Sequence, residues 1–169
     1  MKAGNLLFIL TLFLIPLSLF SEEKWVQYTN TDYVTEIVRE GNYLWIGTTG
    51  GLIKFNKKTG EEELLNNINS GLPSNFITSI FIDKEGNKWI GTSNAGAAKF
   101  DGKEWEVFFE EFGDKAYISI NSVTQDLNGN LWLTTDYEII KYDGHNFIKY
   151  NTDTVGFHLS SLRHLAVDS

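Results

Sequence analysis

The sequence predicts an all-β fold built from repeated four-stranded antiparallel sheets, and three observations lead to that prediction. First, a tryptophan recurs at a regular interval, since Trp45, Trp89 and Trp132 are spaced 44 and 43 residues apart. Second, each tryptophan follows an apolar-rich run and precedes an apolar-Lys-aromatic step, written "LIKFN", "AAKFD" and "IIKYD" in the three copies. Third, no window after residue 24 shows a convincing 3.6-residue apolar period, so little helix is expected.

The elements of one repeat are four short strands separated by turns. Runs rich in Ile, Val, Thr, Phe, Tyr and Trp are bounded by clusters of Gly, Asn, Asp and Lys, which is typical of strands joined by turns. A four-stranded unit of about 40–45 residues is the sequence signature of a β-propeller blade. We therefore expect a partial propeller at residues 22–169, with blades at about residues 33–66, 76–110 and 117–151.

Both ends of the repeat region carry incomplete units. Residues 24–30, "KWVQYTN", resemble the fourth strand of a blade without its first three. A further blade starts at 156–169, because "GFHLSSLRHLAVD" (156–168) aligns without a gap on "GLPSNFITSIFID" (71–83). About three and a half blades form an incomplete ring, since propellers use about four to eight. We expect further blades in the same longer chain, or self-association; a compact monomer would contradict this expectation.

The first 21 residues are predicted to be a secretory signal peptide, because an almost unbroken apolar run follows Lys2 and stops before two glutamates. The run is short for a membrane span and is broken by Pro16. An uncleaved anchor is the alternative, since Leu19 and Ser21 make a poor cleavage site. The chain has no Cys, which excludes disulfides and a lipid-modified cysteine.

The charge balance argues against two classes of partner. The chain has 22 acidic and 14 basic residues, a net charge of −8, and no basic cluster. Nucleic acid and anionic membrane surfaces are therefore not expected to bind, and no membrane insertion is expected apart from the signal peptide.

Three motifs together carry a family resemblance: "GLPSN", Asp-x-x-Gly-Asn-x-Trp-Ile-Gly-Thr, and "KFDGKEW". The combination resembles the two-component regulator propeller repeat, and the resemblance covers essentially all of residues 25–168. It implies the exported sensor region of a bacterial hybrid two-component receptor, on the periplasmic or extracellular side of the inner membrane. In such receptors it also implies paired propellers, a β-sandwich, a membrane span and a cytoplasmic kinase.

The repeated tryptophans and glycines are interpreted as structural. In "KWIGT" the strand alternation puts Trp89 and Gly91 on one face and the intervening residue on the other, and both faces are buried between blades. Gly91, without a Cβ, is expected to leave room for a neighbouring ring. The same roles are assigned to Trp45, Gly47 and Trp132. Stacking of a carbohydrate on these tryptophans is the alternative.

The turns before the tryptophans are interpreted as hairpins. In "DKEG" and "DLNG", Asp83 and Asp126 would accept hydrogen bonds from following backbone amides, while Gly86 and Gly129 take a positive φ. A calcium loop is the alternative, but the EF-hand spacing is absent and no Glu stands at the twelfth position. No metal site and no cofactor is expected.

No catalytic constellation is found in the sequence. Only three His are present (His145, His158 and His164), and there is no Cys nucleophile, G-x-S-x-G or phosphate-binding glycine loop. Propeller lyases similar to this family need a His/Glu/metal cluster at one end of the channel. The chain is therefore predicted not to be an enzyme.

The third repeat departs from the pattern and provides the candidate ligand site. Thr134 stands where the other repeats have Gly47 and Gly91, and Glu138 stands where they have Gly51 and Gly96. Glu138 follows Asp136 and Tyr137, so an aromatic ring lies beside two carboxylates. Because loops at one end of a propeller bind ligands, Asp136, Tyr137 and Glu138 are the predicted ligand-binding residues. Sequence drift in a terminal blade is the alternative.

These interpretations leave three candidate functions. The first, implied by the resemblance, is a non-catalytic exported sensor module that detects an extracytoplasmic ligand such as an oligosaccharide. The second is a scaffold propeller that recognises a protein. The third is a lyase-like propeller enzyme, which would show metal-dependent turnover.

Overall fold

The computed structural model describes residues 33–108, 118–151 and 162–166. The predicted signal peptide (1–21), the fourth-type strand (24–30) and most of the further blade (156–169) lie outside the described residues. In the part that the structure describes, the regular structure is β-strand. No helix in these residues is long and apolar enough to cross a membrane.

Within the described residues, twelve strands form three four-stranded antiparallel sheets, which confirms the predicted all-β class and blade-like units. Each sheet orders its strands as they occur in the chain, because each turn joins neighbouring strands. The first sheet contains β1 Val34–Glu40, β2 Tyr43–Thr48, β3 Gly51–Asn56 and β4 Glu62–Leu65. The second contains β5 Ile77–Ile82, β6 Lys88–Thr92, β7 Ala97–Phe100 and β8 Trp105–Phe108. The third contains β9 Ser122–Gln125, β10 Leu131–Thr134, β11 Glu138–Tyr142 and β12 Phe147–Asn151.

The sheets meet through their first strands: β1 packs against β5, and β5 packs against β9. The antiparallel order sorts the connections between two ends. One end, here the connection end, has the loops from second to third strands and the links from one sheet to the next. The other, the turn end, has the turns from first to second and from third to fourth strands.

Two apolar cores fill the junctions between the sheets. The core between the first and second sheets consists of Trp45, Leu52, Leu72, Ile77, Ile80, Ile90 and Ala98. The core between the second and third sheets consists of Trp89, Ala97, Phe108, Ile118, Ile120, Val123, Leu131, Leu133 and Ile140. Each sheet therefore buries apolar side chains against its neighbour, as blades of a propeller do.

Both faces of strand β6 are buried, because a neighbouring sheet packs on each side of it. Trp89 packs toward the third sheet, where its ring lies 5.6 Å from that of Tyr142, while Ile90 belongs to the core shared with the first sheet. All five β6 residues are buried. A buried tryptophan hides about 150–250 Å², which at about 25 cal/mol/Å² contributes at most about 4–6 kcal/mol.

Candidate functional site

The turn before β6 is built around the carboxylate of Asp83. Its Oδ1 accepts hydrogen bonds from the backbone amides of Glu85 (3.1 Å) and Asn87 (2.8 Å). Its Oδ2 accepts from Asn87 Nδ2 and from Trp89 Nε1, each at 2.9 Å. Gly86 takes φ +86°, a left-handed conformation that favours glycine. The carboxylate thus closes the turn and also holds the indole of the buried tryptophan.

The third sheet repeats this arrangement with Asp126. Its Oδ2 accepts from Asn130 Nδ2 (2.8 Å) and Trp132 Nε1 (2.9 Å), and Gly129 takes φ +87°. The hydrogen bonds from Asn130 and then Trp132 lower the pKa of Asp126 from 3.8 to about 2, because they stabilise the ionised carboxylate. In both turns the carboxylate oxygens are occupied by N–H donors. Among the described residues, no group of three or more His, Cys, Asp or Glu could hold a metal ion.

In the first sheet a glutamate, Glu40, takes the place of the aspartate as the acceptor for the indole N–H. This role of Glu40 was not predicted from the sequence. Glu40 Oε2 accepts from Trp45 Nε1 at 2.8 Å, and Glu40 Oε1 lies 2.6 Å from Lys88 Nζ of the second sheet. Burial alone would raise the pKa of Glu40, but the hydrogen bonds from Lys88 and Trp45 outweigh it and hold this pKa below 4.5. A signal existed in the sequence: no aspartate stands between residues 33 and 45, and Glu40 lies five residues before its tryptophan, where the other turns have an aspartate six residues before theirs.

The glycines of the Trp-x-Gly step lie where neighbouring elements come close. A Cβ on Gly91 would lie 2.2 Å from Ser79 Oγ and 2.7 Å from the backbone oxygen of Ile120 in the third unit. A Cβ on Gly47 would lie 2.8 Å from the Ile77 Cγ2 atom of the second sheet. The expectation that Gly91 leaves room for a neighbouring ring is therefore wrong: the neighbours are a serine and the main chain of Ile120. The close approach explains why both positions are glycine.

The candidate ligand residues lie together at the connection end: Asp136 and Tyr137 are in the β10–β11 loop, and Glu138 is the first residue of β11. The Thr135 hydroxyl accepts from the backbone amides of Tyr137 (3.1 Å) and Glu138 (2.9 Å) and so shapes the loop. The side chain of Tyr137 is 61% exposed, and Glu138 is half-buried. Asp136 Oδ1 accepts a hydrogen bond from Asn121 Nδ2 at 2.9 Å. The loop thus presents an exposed aromatic ring between two carboxyl groups, one of which is held by Asn121.

This loop differs in conformation from the loops of the first two sheets. Gly51 and Gly96 have φ +145° and +73°, whereas Glu138 has no positive φ. The amide of Gly96 donates to the oxygen of Ile118 in the third unit (2.9 Å), whereas that of Glu138 donates to Thr135 within its own loop. The glutamate in place of a positive-φ glycine therefore goes with a different loop conformation. Whether the loop binds a ligand stays a prediction.

The histidines fall at separate points of the chain. His145 lies in the β11–β12 turn, where its backbone amide donates to Asp143 Oδ1 at 2.8 Å. His164 lies in the segment 162–166, and His158 lies outside the described residues.

Comparisons with known proteins agree with the repeat pattern and the sheets. Residues 71–94, which run from the start of the "GLPSN" motif to two residues past the end of β6, match the family model described as two component regulator propeller. A stretch of 93 residues, 51% of the chain, is 33% identical to Histidine kinase P4 from Formosa agariphila, of which it covers 6%.

Solved structures share the fold. The extracellular domain of a putative one component system from B. thetaiotaomicron matches 80% of the chain with a TM-score of 0.70 and 23% identity, over 18% of that protein. The extracellular domain of a putative hybrid two component system from the same organism matches 72% of the chain with a TM-score of 0.63 and 22% identity, over 17% of that protein. The chain therefore spans less than a fifth of each of these relatives. Residues 71–94 thus match the two component regulator propeller repeat, and the described sheets share the fold of these extracellular domains.

Proposed function

We propose that this chain is a non-catalytic, exported propeller module of a two-component-type receptor, and that it detects an extracytoplasmic ligand such as an oligosaccharide. The observation that carries the proposal is the two component regulator propeller match at residues 71–94. The structural similarity to extracellular domains of putative two component systems supports it at the level of fold. The apolar N-terminal segment supports export.

The binding surface is the connection end around Asp136, Tyr137 and Glu138. Tyr137 offers an exposed ring with an apolar face and a polar tip, the type of group that packs on a ligand and hydrogen-bonds to it. The carboxylates on either side accept hydrogen bonds from hydroxyl groups, and charge-assisted bonds of this kind are the stronger ones. An aromatic ring beside hydrogen-bond acceptors suits a sugar, which has both apolar C–H faces and hydroxyl donors.

A glycan array tests this proposal on the purified full chain. We expect binding to at least one oligosaccharide class without turnover, and about tenfold weaker binding by Tyr137→Ala and by Glu138→Gln, since each removes one or two contacts. Tyr43→Ala is the matched control, because Tyr43 is also a partly exposed tyrosine (37%) but lies at the turn end. Equal binding by wild type, Tyr137→Ala and Glu138→Gln would contradict the assigned surface. Metal-dependent turnover of a bound ligand would contradict the non-catalytic assignment.

Export is tested separately by fusing alkaline phosphatase after Ser169 in a bacterial host, because this enzyme is active only outside the cytoplasm. We expect phosphatase activity with the natural N-terminus and its loss when residues 2–21 are deleted. Activity that does not depend on these residues would contradict a signal peptide.

A further inference from the structure

The side-chain amide of Asn121 donates hydrogen bonds to two separate segments, the β10–β11 loop and the segment 162–166. Its Nδ2 donates to Asp136 Oδ1 at 2.9 Å and to the backbone oxygen of Leu162 at 3.0 Å. Its backbone amide also donates to the oxygen of Thr134 at 2.8 Å. Asn121 therefore connects the β10–β11 loop to the segment 162–166, which lies at the start of the incomplete fourth repeat.

The contact with Leu162 repeats a contact from the preceding junction. Leu162 aligns with Ile120, because each stands six residues before the aspartate of its repeat. In the second sheet, the Thr78 hydroxyl donates to the backbone oxygen of Ile120. Thr78 aligns in turn with Asn121. The side chain at this position thus holds the main chain of the following unit at both junctions, but as a threonine at one and an asparagine at the other.

Thr134 explains why a longer side chain is needed at the later junction. At the equivalent Gly91, a Cβ would come within 2.7 Å of the Ile120 oxygen. Thr134 has this Cβ, so we expect the main chain at Leu162 to lie farther from Thr134 than Ile120 lies from Gly91. The amide nitrogen of Asn121 lies one bond farther from the backbone than a threonine hydroxyl, roughly 1.3 Å. The buried hydroxyl of Thr134 has no hydrogen-bond partner within the described ranges, so it does not take over this contact.

Glu138 also removes a direct backbone contact with the next unit. The amide of Gly96 donates to the Ile118 oxygen of the following unit at 2.9 Å, and the Thr92 oxygen accepts from the amide of Ile120 at 3.1 Å. The amide of Glu138, in the position of Gly96, is instead used by Thr135. The two departures of the third repeat from the glycine pattern, at 134 and 138, therefore both fall at the junction with the next unit.

We propose that Asn121 is a positioning residue that couples the loop Asp136–Tyr137–Glu138 to the docking of the segment 162–166, and that Thr134 makes this docking depend on Asn121. This docking does not require a bound ligand. The effects of substitutions at positions 121 and 134 should depend on each other, which a merely local stabilising role for Asn121 would not produce.

Hydrogen exchange of the full chain, read by mass spectrometry on peptides that contain residues 162–166, tests the first part. In Asn121→Thr the amides of this segment exchange about fivefold faster than in wild type, because one net hydrogen bond is lost. The matched control is Thr78→Val, which accelerates exchange at residues 118–120 and leaves 162–166 unchanged. Unchanged exchange of 162–166 in Asn121→Thr, or full exchange of this segment already in wild type, would overturn the proposal.

The rescue variant Asn121→Thr/Thr134→Gly tests the coupling. Glycine at 134 lets the segment approach as closely as Ile120 approaches Gly91, so threonine at 121 reaches it again. We expect exchange of 162–166 to return to within about twofold of wild type, since the hydrogen bond is restored. If exchange in the double variant is as fast as in Asn121→Thr or faster, the spacing role of Thr134 is refuted.

Discussion

Replacing Asp83 by asparagine probes how the turn carboxylate stabilises the buried tryptophan. The substitution keeps the size of the side chain and one oxygen, which can still accept from the amides of Glu85 and Asn87. The other oxygen becomes an NH₂ group that faces two donors, Asn87 Nδ2 and Trp89 Nε1. Asn87 can rotate its amide by 180° and present its oxygen to the new donor. The indole cannot adapt, because it is a donor only.

The expected cost therefore comes from one buried indole N–H that loses a charged acceptor. Trp89 is 1% exposed and Asp83 is 8% exposed, so water does not replace the carboxylate. Leaving a buried donor unsatisfied costs about 1–3 kcal/mol, and bonds to charged groups lie toward the upper part of that range. We expect Asp83→Asn to lower the free energy of unfolding by about 2–3 kcal/mol.

The assay is urea unfolding followed by far-UV circular dichroism, with m values compared so that only changes in stability are counted. Asp126→Asn is the matched control, since four equivalent donors surround Asp126 but the Trp132–Asp126 hydrogen bond is only partly buried, whereas the Trp89–Asp83 bond is buried. We expect a clearly smaller loss in Asp126→Asn. In a Trp89→Phe background the donor is absent, so Asp83→Asn should cost little there. Equal losses in the two turns, or an undiminished loss in the Trp89→Phe background, would refute the reasoning.

Three further predictions concern pH and close packing. Because the pKa of Glu40 is lowered in the folded chain, ionised Glu40 stabilises the fold fully above pH 4.5, and this stabilisation is lost as the pH falls through the lowered pKa. In Glu40→Gln the unfolding midpoint should therefore depend less on pH below 4.5 than in wild type. Asp126 should titrate at about pH 2 by carboxyl NMR, and Trp132→Phe should raise this pKa because it removes a donor to the carboxylate; an unchanged midpoint would contradict the assigned cause. Gly91→Ala should lower the free energy of unfolding by about 1–3 kcal/mol. Gly47→Ala should cost less in the same urea assay, because its nearest atoms are side-chain methyl and hydroxyl groups rather than a backbone oxygen; the reverse order would argue against the close main-chain approach.

The unit and its turns could be read from the sequence because they depend on local order. The recurrence of Trp45, Trp89 and Trp132 predicts one strand of each sheet, and the three sheets contain these residues in β2, β6 and β10. The Asp-x-x-Gly pattern predicts a turn in which a carboxylate binds nearby amides, and Asp83 and Asp126 do so. The acceptor role of these carboxylates toward the indoles was not predicted, although the six-residue spacing was visible in both copies.

What the sequence by itself determined is the repeating four-stranded unit, its buried tryptophan and its hairpin turns, since period-2 alternation and turn chemistry act over a few residues. The tertiary structure decided what lies across each junction: Lys88 against Glu40, the main chain of Ile120 against Gly91, and Leu162 against Asn121. These contacts join residues about 30 to 50 positions apart in the chain, and they depend on how closely neighbouring sheets pack. The clearance at Gly91 shows how closely the next unit approaches it, and no local pattern in the sequence shows which main-chain atoms lie there.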